Sequence, residues 1–200
     1  MCFSFTGVMA QEVKKQEKIK LPPHRLIKTN PFVAIQGPIP KSAEYRLAFE
    51  QILGSRKSFV VSGSYLDHSL LDEIQNVFSG DDTLSLNYIG FRGQLMLRFY
   101  RTKDTYSPEG FFVGPHVSFS YLEKTATYSH YSYHEYLSYA NANLLMGYQG
   151  IIDNFMVLEI FFGIGAKQNT KIYHDSIKGY RVDHPYGVKF TLGTSIGIVL

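Results

Sequence analysis

Eight segments of this chain alternate apolar side chains with small or polar ones, and this alternation constrains the fold more than any other feature. A β-strand turns successive side chains to opposite faces, so alternation at period two predicts strands with one apolar and one polar face. Gly, Pro, Asp, Asn and Ser cluster between the segments, as is typical of turns. The sequence therefore predicts an all-β chain. The eight predicted strands are Phe32–Ile39, Glu44–Leu53, Ser58–Leu66, Tyr88–Arg101, Gly110–Leu122, Leu137–Gln149, Asn154–Lys167 and Gly187–Leu200.

The last predicted strand separates the two faces most clearly. Phe190, Leu192 and Ile198 point one way, while Lys189 and Gly193 point the other. The three predicted strands before it along the chain keep the same separation. Their polar faces are rich in Gly, Ser and Asn with few charges, which suits the crowded interior of a small barrel better than a water-facing surface. We therefore expect a polar interior and an apolar exterior, the inverse of a soluble barrel.

The connections between these strands alternate in length, so the long ones all fall at one end. Most strands reach the roughly 9–11 residues needed to cross a bilayer, whereas no run approaches the roughly 20 apolar residues of a membrane helix. These features predict a monomeric, eight-stranded, antiparallel, up-and-down transmembrane β-barrel in the bacterial outer membrane, with short turns in the periplasm. The long connections, predicted as external loops, are Asp67–Asn87, Glu123–Tyr136 and Gln168–Tyr186.

Composition narrows the possible functions. The net charge of +3 comes from Lys and Arg residues that are dispersed outside the N-terminal segment, which argues against nucleic acid as a partner. Cys2 is the single cysteine, so no intrachain disulfide forms. Tyr and Phe number 15 each, and amphipathic aromatic side chains suit a surface that meets lipid head groups. Lipid of the outer membrane is therefore the expected surrounding.

The N-terminal part of the chain is expected to lie outside the barrel. Residues 1–10 are apolar and small, with Val8 and Ala10 at the positions that a signal peptidase recognises, so they resemble the end of a signal peptide. A disordered start is the alternative. Residues 11–30 are polar and lysine-rich and are predicted as a periplasmic linker. The predicted barrel spans residues 31–200.

Several motifs resemble those of small outer-membrane barrels of Bacteroidetes, a family of unknown function. The resemblance covers nearly all of the chain after Asn30 and implies an OmpA- or OmpX-like barrel without catalytic residues. It also implies that the outer-membrane assembly machinery recognises the last strand, although this chain ends in Ile198-Val199-Leu200 where such barrels often end in an aromatic residue. The motifs are Asn30-Pro31-Phe32, Glu44-Tyr45-Arg46-Leu47-Ala48-Phe49-Glu50, Lys57-Ser58-Phe59, Gly90-Phe91-Arg92-Gly93-Gln94 and Pro108-Glu109-Gly110-Phe111-Phe112-Val113-Gly114-Pro115.

Charged and polar residues on the predicted inner faces are the candidate site. Opposite charges in a narrow interior are expected to pair, because an unpaired buried charge costs several kcal/mol. The resulting network would fill the lumen and serve a structural role, and a narrow ion path is the alternative. The residues are Arg46, Glu50, Arg92, Gln94, Arg98, His116, Glu159 and Lys189.

Other chemistry finds little support in the sequence. His130 and His134 are four residues apart, but this spacing brings two ligands together only on a helix, which the surrounding segment does not predict. No Gly-x-Ser-x-Gly motif occurs. We therefore expect no enzyme, metal or cofactor, and a structural or surface-interaction role with an unknown ligand at the loops. The alternatives are a soluble lipocalin-like carrier and a barrel enzyme that modifies envelope lipid.

Overall fold

A computed structural model of the chain describes residues 25–35, 42–54, 56–69, 85–101, 108–128, 131–174, 180–183 and 187–200. These residues form nine strands and one short helix. In chain order they are β1 (Arg25–Thr29), α1 (Pro31–Ile35), β2 (Ser42–Ile52), β3 (Lys57–His68), β4 (Ser85–Arg101), β5 (Gly110–Tyr128), β6 (Tyr131–Ile152), β7 (Met156–His174), β8 (Tyr180–Asp183) and β9 (Gly187–Val199).

The strands form a closed antiparallel barrel. From β1 to β7, each strand pairs with the next along the chain, β7 pairs with β9, and β9 pairs with β1 to close the ring. The short β8 also pairs with β7, beyond the point where β9 begins. Eight strands thus complete the wall, and the predicted all-β, eight-stranded, antiparallel, up-and-down barrel is confirmed.

The predicted inner and outer faces are also confirmed, because alternation along each strand matches the observed burial. In β5, Ser118 and Ser120 are buried while Phe119 between them is exposed. In β7, Glu159 is buried between the exposed Leu158 and Ile160. The interior of the barrel is therefore largely polar, and its exterior is apolar.

The first predicted strand, Phe32–Ile39, is wrong over residues 32–35, and its other residues lie outside the described ones. Pro31–Ile35 forms α1 instead, and the Oδ1 atom of Asn30 accepts hydrogen bonds from the backbone N–H groups of Phe32 and Val33 at 3.2 and 3.4 Å. Asn before Pro is a helix-start signal, since Asn caps the free N–H groups and Pro suits the first helical position. The first described strand is β1, which lies in the predicted linker, so the barrel includes Arg25–Thr29, before the predicted start at residue 31.

Two of the predicted long loops are largely strand. β5 runs to Tyr128 and β6 begins at Tyr131, so Glu123–Tyr136 is the end of a long hairpin. β7 likewise continues to His174, into the predicted loop Gln168–Tyr186. Both faces of these extensions carry polar residues, so the hydrophobic alternation that predicts strands is lost there although the backbone pairing continues.

The opposite end has tight turns. Asp153 and Asn154 join β6 to β7 with φ angles of 53° and 56°, and the Phe155 N–H donates to the Ile152 carbonyl at 3.0 Å. Positive φ at both central residues suits the right-handed twist of a hairpin, and Asp and Asn tolerate it. Asn154 is therefore a turn residue rather than the first residue of the seventh strand.

Some predictions concern residues outside the described ones: the signal peptide at residues 1–10, the linker up to residue 24, most of the loop Asp67–Asn87, and His130. Within the described residues, no helix is long and apolar enough to cross a membrane.

The barrel wall is interrupted beside β1. This five-residue strand pairs with β2 only at Leu47–Gln51 and with β9 only at Ile196–Val199. Toward Ser42 and Gly187, no strand among the described residues joins β2 to β9. The helix α1 contacts both strands there. Among the described residues, the sheet is thus complete on the β3–β7 side, whereas beside the upper part of β9 the neighbouring element is α1 rather than a strand.

Candidate functional site

The lumen contains two polar clusters separated by an apolar layer. The lower cluster lies toward the chain ends and the tight turns, and the upper cluster lies nearer the long hairpins. Val60, Met96, Leu145 and Phe161 belong to the apolar layer between them. The lower cluster consists of Lys28, Glu50, Arg98, Gln149 and Glu159, and the upper cluster of Glu44, Arg46, Arg92, Gln94, His116 and Lys189.

The lower cluster is built on two cations and two carboxylates. Lys28 Nζ lies 2.6 Å from carboxylate oxygens of both Glu50 and Glu159. Arg98 donates two hydrogen bonds to Glu159, at 2.7 and 2.9 Å, and also pairs with Glu50 at 3.4 Å. All four side chains are buried, and their two positive and two negative charges balance in a ring of alternating sign.

Neutral groups complete the bonding of this ring. The Gln149 side-chain oxygen accepts from Lys28 at 3.0 Å and from Arg98 at 3.1 Å, and its NH₂ group donates to the Pro108 carbonyl at 2.7 Å. Tyr100 and Ser58 donate their hydroxyl hydrogens to Glu50. A ring of charges whose remaining donors and acceptors are also bonded can offset its own desolvation cost.

The residues of the lower cluster reach across the barrel from opposite walls. They come from β1, β2, β4, β6 and β7, and the Arg98 guanidinium also stacks over the Phe112 ring of β5 at 4.3 Å. On β9, Gly197 leaves the space that Lys28 occupies, since a Cβ atom there would lie 2.6 Å from Lys28 Cγ. The lower cluster therefore fills the cross-section of the lumen with side chains.

The upper cluster is organised around Glu44. This buried carboxylate accepts hydrogen bonds from Arg46 and Arg92, both at 3.0 Å, from Gln94 at 3.0 Å and from Ser64 at 2.7 Å. The alternation of β2 places Glu44 and Arg46 on the inner face, and β4 does the same for Arg92 and Gln94. One carboxylate thus serves two guanidinium groups.

A chain of neutral polar groups continues from this centre along β5 and β6. His116 contacts the Gln94 side-chain oxygen and the Asn143 amide, each at 3.1 Å. Ser118 accepts from Arg92 at 3.3 Å and from Asn141 at 3.0 Å. Most polar atoms on this wall are satisfied, although the buried Nε atom of Arg92 has no hydrogen-bond partner among the described residues.

A cavity of about 270 Å³ lies beside the upper cluster. Arg46, Arg92 and Lys189 line it together with Glu44, and Lys28, Arg98 and Glu159 of the lower cluster line its other end. Because the lower cluster is balanced by Glu50 and Glu159, the two positive charges in excess belong to the upper cluster. Within the described part of the chain, Lys189 makes neither an ion pair nor a hydrogen bond. The upper cluster thus differs from the lower one in both charge balance and packing.

The structure divides the sequence-predicted residues between the two clusters. Glu50, Arg98 and Glu159 meet in the lower cluster. Lys189 lines the cavity without a described partner. The other predicted residues, which lie in the upper cluster, are Arg46, Arg92, Gln94 and His116.

Three central residues were missed. Glu44 and Gln149 lie at positions that the alternation along β2 and β6 turns to the inner face, so this alternation could have identified them. Lys28 lies in the lysine-rich segment predicted as a linker. The five residues of β1 are too few to show the alternation that predicts a strand.

Metal binding finds no new support. Among the described residues, no group of three or more His, Cys, Asp or Glu side chains is placed to hold a metal ion. The exposed His134 lies in β6, with its Nδ1 atom 3.3 Å from Glu123 and 3.2 Å from Thr125. It is therefore part of a surface contact between β5 and β6.

Comparisons of the chain with protein-family models, with curated proteins and with solved structures gave no match. The proposed function therefore rests on the physical features of the barrel.

Proposed function

We propose that the protein is a monomeric bacterial outer-membrane β-barrel with a structural or surface-interaction role and a lumen filled by side chains. We also propose that it belongs to the family of small Bacteroidetes outer-membrane barrels that its sequence motifs resemble. Its expected partners are outer-membrane lipid, the outer-membrane assembly machinery and an unknown ligand at the external end. The observation that carries it is the continuous belt of exposed large apolar side chains around the barrel.

The belt involves every strand from β2 to β7 and also β9. Soluble monomers rarely expose a contiguous apolar patch above a few hundred Å², whereas lipid is a suitable surrounding for a closed ring of such side chains. Members of the belt include Phe59, Val61, Tyr65, Ile89, Phe91, Leu95, Phe99, Phe119, Leu144, Tyr148, Leu158, Ile160, Phe162, Phe190, Leu192 and Ile198.

The height of the belt supports the same proposal. On β4 it extends from Ile89 to Phe99. Ten residue steps of about 3.3 Å give about 33 Å along the strand. A strand tilt of roughly 35–45° reduces this to about 25 Å, the height of the apolar band on outer-membrane barrels.

The alternatives fit these observations less well. A lipocalin-like carrier needs an apolar cavity, but ion pairs occupy much of the lumen here. An open pore needs a continuous water path, and the lower cluster crosses the lumen with buried side chains. A lipid-modifying enzyme needs a nucleophile beside a base, and the His116 ring contacts only amide groups.

Cell fractionation followed by gel electrophoresis tests the proposal. We expect the tagged protein in the outer-membrane fraction, separate from soluble periplasmic and inner-membrane marker proteins. Without boiling, its band should migrate differently from the boiled band, because a closed barrel with this many internal hydrogen bonds resists unfolding in detergent. A protein that stays soluble without detergent would overturn the membrane location.

A further inference from the structure

The strongest unexplained feature is the side opening between β2 and β9. Every inward-facing residue of β9 is partly exposed, whereas the inward-facing residues of β4 from Tyr88 to Tyr100 and of β5 from Phe112 to Leu122 are all buried. At the edge of the opening, Phe190 and Leu192 are exposed to 78% and 79%. Both also line the cavity beside the upper cluster. Within the described part of the chain, the cavity therefore faces sideways, through the gap in the sheet that α1 borders and toward the apolar belt.

The chemistry inside the opening suits an anion. The lower-cluster residues that reach the cavity, Lys28, Arg98 and Glu159, are balanced together with Glu50, whereas the upper cluster has two positive charges in excess. The Arg92 Nε and Thr191 Oγ atoms are buried without hydrogen-bond partners among the described residues. Buried cations without counter-charge are costly, and guanidinium and ammonium groups bind phosphate or carboxylate through strong charge-assisted hydrogen bonds. A bound anionic group would supply both the missing charge and the missing acceptors.

The size and position of the cavity point to one part of a larger ligand. Its volume of about 270 Å³ is below the roughly 300–1,000 Å³ of pockets that enclose a whole drug-sized ligand. A head group fits this space, but a long acyl chain does not. The exposed side chains of Phe190 and Leu192 offer an apolar surface for such a chain immediately outside.

We propose that the cavity beside the upper cluster binds the anionic head group of an amphiphile that enters through the opening between β2 and β9. The head group contacts Arg46, Arg92 and Lys189, while the acyl chain lies against Phe190 and Leu192. This inference rests on the proposed membrane location, which gives the opening access to the lipid phase.

Titration of the full-length barrel in decyl maltoside micelles with decyl phosphate tests the proposal, with calorimetry as the readout. We expect saturable binding with one site per barrel. Inorganic phosphate should bind at least about tenfold more weakly, since it lacks the apolar contact area. Equal binding of inorganic phosphate would overturn the amphiphile and indicate a simple anion site.

Two lysine variants provide the matched control. Lys189→Gln should weaken decyl phosphate binding about tenfold or more, because it removes a charged donor from the cavity. Lys189→Arg should retain most of the affinity. Lys57→Gln changes an exposed lysine at the lower end of β3 and should leave the affinity unchanged. Equal losses in Lys189→Gln and Lys57→Gln would overturn the site.

The same samples separate the two proposals. If the barrel shows its heat-modifiable band and fractionates with the outer membrane but does not bind decyl phosphate, the head-group site is wrong and the membrane location stands. If the protein is soluble without detergent, the membrane location is wrong. The band also reports folding of each variant, and Arg46→Gln provides a second test of the cavity should Lys189→Gln fail to fold.

Discussion

The lower and upper clusters contain the same kinds of side chain but differ in charge balance and in packing. In the lower cluster, two cations meet two carboxylates, and every charged group is sealed from solvent. In the upper cluster, Arg46 and Arg92 share Glu44, Lys189 has no described partner, and a cavity remains beside them. A complete wall surrounds the first cluster, whereas the second lies next to the side opening.

The difference follows from the length of β1. Where β1 is present, it contributes Lys28 and closes the sheet, so the charged groups there are buried and have to balance. Above Thr29 the sheet has no described strand between β2 and β9, and solvent or ligand can compensate a charge in excess. The charges are therefore balanced where the sheet encloses them, which agrees with the structural role proposed for the lower cluster and with the binding proposed for the upper cluster.

The largest effect is expected from breaking the lower cluster. Glu159→Ala leaves Lys28 and Arg98 facing Glu50 alone, and loss of one partner from a buried ion pair costs about 3–5 kcal/mol. The free energy of unfolding should fall by that amount in urea titrations of the barrel in micelles, followed by far-ultraviolet circular dichroism.

Glu123→Ala is the matched control, since this carboxylate is partly exposed and contacts His134 at 3.3 Å. Its removal should change the unfolding free energy by at most about 1 kcal/mol, as for other surface pairs. Similar losses in the two variants would contradict the distinction between an enclosed and an accessible charge.

A smaller effect is expected when a whole pair is replaced. The double variant Arg98→Met with Glu159→Leu keeps Lys28 paired with Glu50 and restores neutrality. Replacement of a buried ion pair by apolar side chains is often close to neutral, so the double variant should recover most of the stability lost in Glu159→Ala. A double variant no more stable than the single one would show that hydrogen-bond geometry, rather than charge balance, holds the lower cluster together.

Much of the barrel could be predicted from local alternation. The inner and outer faces of β5, β6, β7 and β9 follow directly from residues such as Phe119 and Ser118, because apolar and polar side chains alternate within each of these strands. The helix α1 and strand β1 could not be assigned in this way. The segment Leu26–Thr29 is short, and a strand of this length is stabilised by its neighbours β2 and β9 rather than by its own pattern.

The composition of the site was predictable, but its division into two clusters was not. The alternation along each strand identifies Arg46, Arg98 and Glu159 as lumen residues. It does not give their height along the barrel axis or show which strands face each other across the lumen. Glu159 meets Arg98 across the lumen because of the register and closure of the sheet, which are long-range properties. The excess positive charge around Lys189 depends on the interruption of the barrel wall, so the sequence could not predict it either.

The smallest effect on stability is expected at Lys189. Because this lysine has no described ion-pair partner and stands among other cations, Lys189→Met removes repulsion without leaving a carboxylate unpaired. The free energy of unfolding should change by less than about 0.5 kcal/mol or rise slightly, as at sites outside buried networks. A loss of about 2 kcal/mol or more in the same urea titration would mean that Lys189 is held as tightly as the lower cluster. The upper cluster would then be a second structural plug, and the contrast between the two clusters would fail.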